Sequence, residues 1–439
     1  MQLFNAADKA LWRLALPMIF SNITVPLLGL VDTAVIGHLD SPVYLGGVAV
    51  GATATSFLFM LLLFLRMSTT GLTAQAFGAK DPLALARSLV QPLLMALGAG
   101  ALIVLLRGPI IELALHIVGG SDAVLAQARR FLTIRWLSAP ASLANLVLLG
   151  WLLGVQYARA PVILLVVGNI LNIVLDLWLV MGLHMNVQGA ALATVIAEYA
   201  TFIIGLLMAR RVLALRGVSL ALLKQAWRGN FRRLLALNRD IMLRSLLLQL
   251  CFGTITVFGA CLGGDIVAVN AVLMTMLTFT AYALDGFAYA VEAHSGQAYG
   301  AKDGSQLLHV WRAACRQSGL VALAFALVYL AAGEQIVAML TSLPSLQQLA
   351  DRYVIWQVIL PVIGVWCYLL DGMFIGATRG AEMRNSMAVA AAGFALTLLT
   401  VPVLGNHGLW LSLAVFLALR GLSLAWIWRR HWQNNTWFA

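Results

Sequence analysis

The residues that stand out in this chain are polar ones set inside long apolar runs. Asp32 lies within LGLVDTAVIG, and Asn169, Asn172 and Asp176 fall at i, i+3 and i+7 in GNILNIVLDLW. Residues so spaced share one face of a helix. Thr194 and Glu198, one turn apart in GAALATVIAEY, form another such pair. Carboxylate, amide and hydroxyl oxygens together suit a hard cation or a network that holds a proton. The alternative is that they only hydrogen-bond helices to one another. Pro17 and Pro26, in the same run as Asp32, remove backbone hydrogen bonds and permit a bend. Further along, Tyr282, Asp285, Tyr289 and Glu292 form a second polar stripe, and Asp371 stands alone in another apolar run. The stripe reads equally as a cavity lining or as structural ion pairs with Arg66 or Arg244, and Asp371 is a further candidate for the cavity.

The elements that must position these groups follow from composition. Of 439 residues, 62% are hydrophobic and 10% charged, and the mean hydropathy is +0.92. The usual charged fraction of a soluble domain is about 25%. A water-soluble globule cannot hide so much apolar surface, and a disordered chain needs the opposite composition. Crossing a bilayer takes a helix of about 20 apolar residues. Runs of that length fall near 11–36, 46–66, 88–106, 131–154, 160–183, 189–209, 241–262, 266–291, 314–333, 353–376, 386–404 and 408–428. The runs are too long and too unbroken for barrel strands. An all-α, polytopic membrane protein with twelve transmembrane helices is expected. The first run continues without a small-residue cleavage site and reads as a span, not a removable signal. A charge at mid-bilayer costs about 2.5–3.5 kcal/mol on insertion scales, so Asp32 is expected to face protein.

The net charge of +11 is explained by where the basic residues fall. With the N-terminus inside, Lys9, Lys80, Arg87, Arg159, Lys302, Arg312, Arg379, Arg384 and Arg430 are all cytoplasmic. So is the basic connection 210–239, whereas the opposite side keeps Arg107, Arg129, Arg130, Arg135 and Arg352. This positive-inside asymmetry places both termini in the cytoplasm and requires no nucleic acid. Leucines and Trp227 interleave with the basic residues of 210–239, so part of that segment is expected on the membrane surface. Cys251, Cys261, Cys315 and Cys367 show no metal or disulfide spacing and read as apolar filler. Met60, Met67, Met274 and Met276 suit an adaptable binding wall or ordinary membrane core.

The chain also repeats itself. TAQAFGAKD at 73–81 recurs as SGQAYGAKD at 295–303, an offset of 222 residues. The same offset pairs Gly37 with Gly259, Ala49 with Ala271, Gly150 with Gly372 and Gly154 with Gly376. Six spans per copy is an even number, so both copies sit the same way up, as in parallel repeats of transporters. The lobes expected are 1–209 (spans 1–6) and 240–439 (spans 7–12), joined by the linker 210–239. Sites in such folds lie near the midplane.

Twelve spans, VDTAVIGHL, the paired QA[FY]GAKD loops, and NIVLD followed by GAALAT resemble the multidrug and toxic compound extrusion (MATE) family over essentially the whole chain. The resemblance implies a cation-coupled antiporter exporting amphipathic, often cationic compounds across a bacterial inner membrane. It implies a small-molecule substrate, a lipid environment, a monomer, and no cofactor beyond the coupling ion. In the family an acid about four turns after a proline marks the N-lobe cation site, which fits Pro17 and Asp32. The family's N-lobe cluster of Asp, Asn, Asp and Thr falls on Asp32, Asn172, Asp176 and Thr194, with Asn169 and Glu198 as surrounding partners. A branch of the family couples through C-lobe acids on spans 7 and 10. Here the span 7 core, Leu246–Gly259, has no acid. Asp371 also sits closer to the following Gly–Arg segment than that pattern expects.

Two other function classes fit these residues less well. A lipid-linked-precursor flippase of the wider superfamily calls for extra spans or a clearly cationic cavity, but membrane acids outnumber deep bases here, of which Arg420 is one. A polytopic membrane enzyme calls for a nucleophile motif, a His pair or a phosphate loop, and His184, His294 and His407 lie at span ends instead. Antiport, driven by protons in preference to sodium, is the reading these residues favour.

Overall fold

The structure is a computed structural model that describes residues 5–229 and 231–439, with the side chains of 25–33 outside the description. Among the described residues the chain is helical, without a strand. Eleven described helical stretches are long and apolar enough to cross a membrane. The helix α1, Ala6–Gly37, occupies the remaining expected span.

The chain divides into two compact units, Ile23–Leu234 and Met1–Asn22 with Leu235–Ala439. The first holds α2 (Pro42–Leu61), α3 (Phe64–Ala79), α4 (Pro82–Leu105), α5 (Arg107–Val118) and α6 (Asp122–Arg135). It continues with α7 (Ala139–Gly154), α8 (Ala160–Asp176), α9 (Asn186–Leu215) and the short α10 (Leu220–Ala226). The helix α11 (Phe231–Leu262) leads into the second unit, which contains α12 (Gly264–Ala301), α13 (Gly304–Leu340) and α14 (Pro344–Asp351). It ends with α15 (Val354–Gly376), α16 (Gly380–Thr397), α17 (Val401–Leu404) and α18 (Asn406–Gln433).

The division differs from the expected lobes at the start of the chain, because Met1–Asn22 falls in the second unit. Side-chain chemistry explains it. Arg316 donates Nη2 to both carboxylate oxygens of Asp8 at 2.7 Å. Trp12 donates its indole N–H to Gln317 Oε1 at 3.1 Å and stacks edge-on against Phe287 at 4.9 Å. Asn22 donates Nδ2 to the carbonyl of Tyr282 at 3.1 Å. The first five turns of α1 are thereby fastened to α12 and α13.

Within each unit the same local devices recur at the 222-residue offset. Lys80 and Lys302 each end a helix in the left-handed region, at φ 54°. Asp81 then accepts from the N–H groups of Leu83 and Ala84, and Asp303 from that of Gln306. Both are N-caps that satisfy otherwise orphaned donors. A Cβ on Gly150 would lie 2.6 Å from the carbonyl oxygen of Arg66, and one on Gly372 2.5 Å from that of Ala288. Arg66 and Ala288 are themselves repeat partners. A Cβ on Gly154 would strike Thr73, and one on Gly376 would strike Ser295, the counterpart of Thr73. Small residues here let the α3–α7 and α12–α15 backbones touch, as membrane helices require in the absence of a hydrophobic drive between them. Even the rings in the repeated loops are covered at matched positions. Arg216 lies over Phe77 at 4.6 Å, and Phe438 packs on Tyr299 at 5.6 Å.

Candidate functional site

In the unit Ile23–Leu234, α8 carries its polar stripe inward. Asn172 is 1% exposed, Asp176 is fully buried and Thr194 is 6% exposed. Asn172 donates Nδ2 to Thr194 Oγ1 at 3.4 Å, and Thr194 donates in turn to the carbonyl of Ala190 at 3.2 Å. Asn172 Oδ1 is buried and accepts no hydrogen bond among the described residues. A buried acceptor in that state can be complemented by a cation, a carboxyl O–H or a water. The small residues Ala190, Ala191, Ala193 and Ala197 are all buried along α9, which brings Thr194 up to the α8 stripe.

Asp176 is the last residue of α8. The next six, Leu177–Gly182, form a π-helical turn, closed by Leu183 N–H donating to the carbonyl of Trp178 at 2.9 Å. Such wide turns interrupt regular helices at functional positions. They leave a helix with a changed phase, here immediately after its buried acid. The apolar pattern of NIVLDLWLVMG carries no mark of that change.

Glu198, one turn beyond Thr194, is engaged elsewhere in the same unit. Asn145 donates Nδ2 to its Oε2 at 3.0 Å, and Arg135 Nη2 lies 3.9 Å from Oε1. Asn169 is half-buried at the start of the stripe, and Pro17 lies within the first turns of α1. Asp32 and Pro26 lie outside the described residues.

The second unit is arranged differently. Arg244 donates Nη2 to Asp371 Oδ2 at 2.6 Å, and Arg420 donates to the same oxygen. All three side chains are buried. From the sequence, Arg244 is expected as a partner of the α12 stripe, not of Asp371, and Arg420 as a partner of neither. The repeat places Arg420 where the first unit has Glu198, so matched positions carry opposite charge. Tyr282, Asp285 and Tyr289 are half-buried along α12, and Glu292 is 2% exposed. Two of the span-end histidines bridge helices, His294 with the carbonyl of Ala10 at 3.2 Å and His407 with the Trp356 indole at 3.1 Å. Met276 lines an apolar cleft of about 590 Å³ with Phe279, Phe325 and Tyr329. Its hydroxyl is already used, since Tyr329 bonds Thr280 at 2.7 Å. Among the described residues no group of three or more His, Cys, Asp or Glu side chains is arranged to hold a metal ion. All four cysteines are free.

Comparison with known proteins agrees with this architecture. The MatE family matches the chain twice, over residues 17–178 and 241–404, once in each half. The chain is 86% identical over 439 residues to the DNA damage-inducible protein F of Escherichia coli (strain K12), covering all of this chain and 96% of that one. It is 24% identical over 446 residues to a probable multidrug resistance protein NorM of Acinetobacter baylyi, covering 98% and 97% of the two. Among solved structures, a MATE protein in the bent conformation superposes with a TM-score of 0.83 at 22% identity, covering 98% of this chain and 96% of that one. An outward-facing MATE multidrug resistance transporter gives 0.81 at 22% identity, with the same coverage. Two matched six-helix halves, the same fold and a family match over most of the chain lead to one assignment: the chain belongs to the MatE, or multidrug and toxic compound extrusion, family of membrane transporters.

Proposed function

We propose that this transporter is a proton-coupled antiporter of the bacterial inner membrane, a monomer that exports amphipathic or cationic small molecules by alternating access. Coupling resides in Asp32, Asn172, Asp176 and Thr194. The observation that carries the reading is the contrast between the two units. One holds a buried carboxylate beside an amide oxygen in need of a donor. In the other, Asp371 is held by two guanidinium groups.

The chemistry follows. Protonation of Asp32 or Asp176 competes with a cationic substrate for the unit or for one of its conformations. Differential affinity between inward- and outward-open states makes the exchange directional. A proton moving down about 150 mV releases about 3.5 kcal/mol, enough to hold a gradient of a few hundredfold. The lobes rock on the connection 210–239, with both termini and that connection cytoplasmic.

Efflux from proteoliposomes under an imposed pH gradient or an imposed sodium gradient, applied separately, tests the reading. Export driven by the pH gradient alone is expected. Export driven by sodium alone overturns proton coupling, and absence of export with any amphipathic cation overturns antiport.

A further inference from the structure

The connection between α9 and α11 carries an exposed basic surface with large apolar side chains set into it. From 210 to 234 it has seven basic residues and no acidic one. Its short helix α10 is a preformed element. Ser219 caps it by accepting from Leu222 N–H at 3.3 Å. Ala226 is fully buried, with Leu222 and Leu223 half-buried beside it, on the face turned to α4. Arg87 donates Nε to the carbonyl of Arg228 at 3.1 Å, which fixes the segment's far end.

The opposite face is outward. Leu220, Lys224 and Trp227 fall at i, i+4 and i+7, so they line one stripe. Leu220 is 72% exposed and Trp227 48%, and just upstream Leu215 is 76% exposed. Arg228 stacks over the Trp227 ring at 5.0 Å. Large apolar side chains alternating with cations suit an interface that is apolar below and anionic above. Nucleic acid or an acidic protein matches the charge and leaves Leu215 and Leu220 in water. A leaflet containing acidic phospholipid matches both, at about 1 kcal/mol per basic residue near the surface.

We infer that Leu215, Leu220, Lys224, Trp227 and Arg228 form a docking surface for acidic phospholipid of the leaflet they face. The inference rests on the cytoplasmic placement of 210–239 proposed above, and it assigns the protein a lipid dependence distinct from its coupling. Leu220 and Trp227 enter the headgroup boundary while Lys224 and Arg228 hold phosphate.

The full chain in nanodiscs of phosphatidylcholine, with or without phosphatidylglycerol, provides the test. A fluorophore is placed at Leu220→Cys in a Cys261→Ser background, and enrichment of spin-labelled phosphatidylglycerol around the protein is measured. The fluorophore is expected to be quenched by nitroxide lipid and shielded from aqueous iodide. Enrichment is expected to fall about fivefold each for Lys224→Gln and Arg228→Gln, and to hold for Arg352→Gln, at unchanged melting temperature. A fluorophore open to iodide and untouched by nitroxide lipid overturns the inference and points to water or a protein partner. Enrichment unchanged by both variants overturns it as well. Either failure leaves gradient-driven export, measured separately, to be judged by itself.

Discussion

Arg244 and Asp371, 127 residues apart in sequence, meet at 2.6 Å in the interior of the second unit, where Arg420 shares the same carboxylate oxygen. A carboxylate so held has its charge answered by protein. Removing one member of a buried pair costs about 3–5 kcal/mol, because the partner charge is left uncompensated. Asp371→Asn is therefore expected to lower the melting temperature clearly while each folded molecule keeps substantial gradient-driven export. Thermal unfolding in detergent, with efflux normalised to folded protein, separates the two effects. Selective loss of coupling at unchanged stability would move the site into this unit.

Most of the architecture was legible beforehand. Span length and hydropathy are properties of contiguous residues, and QAFGAKD against QAYGAKD announces the repeat. The partners of Asp371 were not legible, since Arg244 and Arg420 lie on other helices and no local pattern links the three. The π-helical turn after Asp176 was invisible for a different reason. Apolar residues surround it on all sides, so a change of helical phase leaves the hydropathy pattern as it was. The attachment of the first turns of α1 to the second unit depends on single pairs such as Asp8 with Arg316, which composition cannot reveal.

The repeat makes a quantitative prediction about packing. Gly150 and Gly372 face the carbonyls of Arg66 and Ala288 at matched distances. Overpacking a tight contact costs about 1–3 kcal/mol. Gly150→Ala and Gly372→Ala should each lower stability within that range and by similar amounts. Differential scanning of the two variants checks it. A neutral result for one alone would show that the two interfaces are not equivalent.

The attachment of α1 carries a pH signature. Burial pushes the Asp8 carboxyl up, but the Asn5 backbone N–H and the Arg316 guanidinium outweigh it and hold the group below its ordinary range. With the folded value below the unfolded one, the stabilisation is fully present above the ordinary carboxylate value. It is lost as the pH falls through the lowered folded value. Asp8→Asn should thus melt below the parent at neutral pH, with the gap closing in acid. A gap independent of pH would contradict this assignment.

Topology yields a simple labelling outcome. Ser219 lies in the basic connection, for which the positive-inside asymmetry predicts a cytoplasmic position. Ser219→Cys, in a Cys261→Ser background, should resist a membrane-impermeant maleimide added to intact cells and react once the cells are opened. Ready labelling from outside would invert the orientation.

The central claim is that coupling belongs to the unit holding Asn172, Asp176 and Thr194, joined by Asp32. Its most direct measurement is pH-gradient-driven efflux from proteoliposomes for Asp32→Asn, Asp176→Asn and Asp371→Asn side by side. An asparagine mimics the protonated acid and cannot release the proton. The account predicts that Asp32→Asn inserts and folds but abolishes driven export, that Asp176→Asn weakens or abolishes it, and that Asp371→Asn retains it. Full export by Asp32→Asn, or loss confined to Asp371→Asn, would contradict the account.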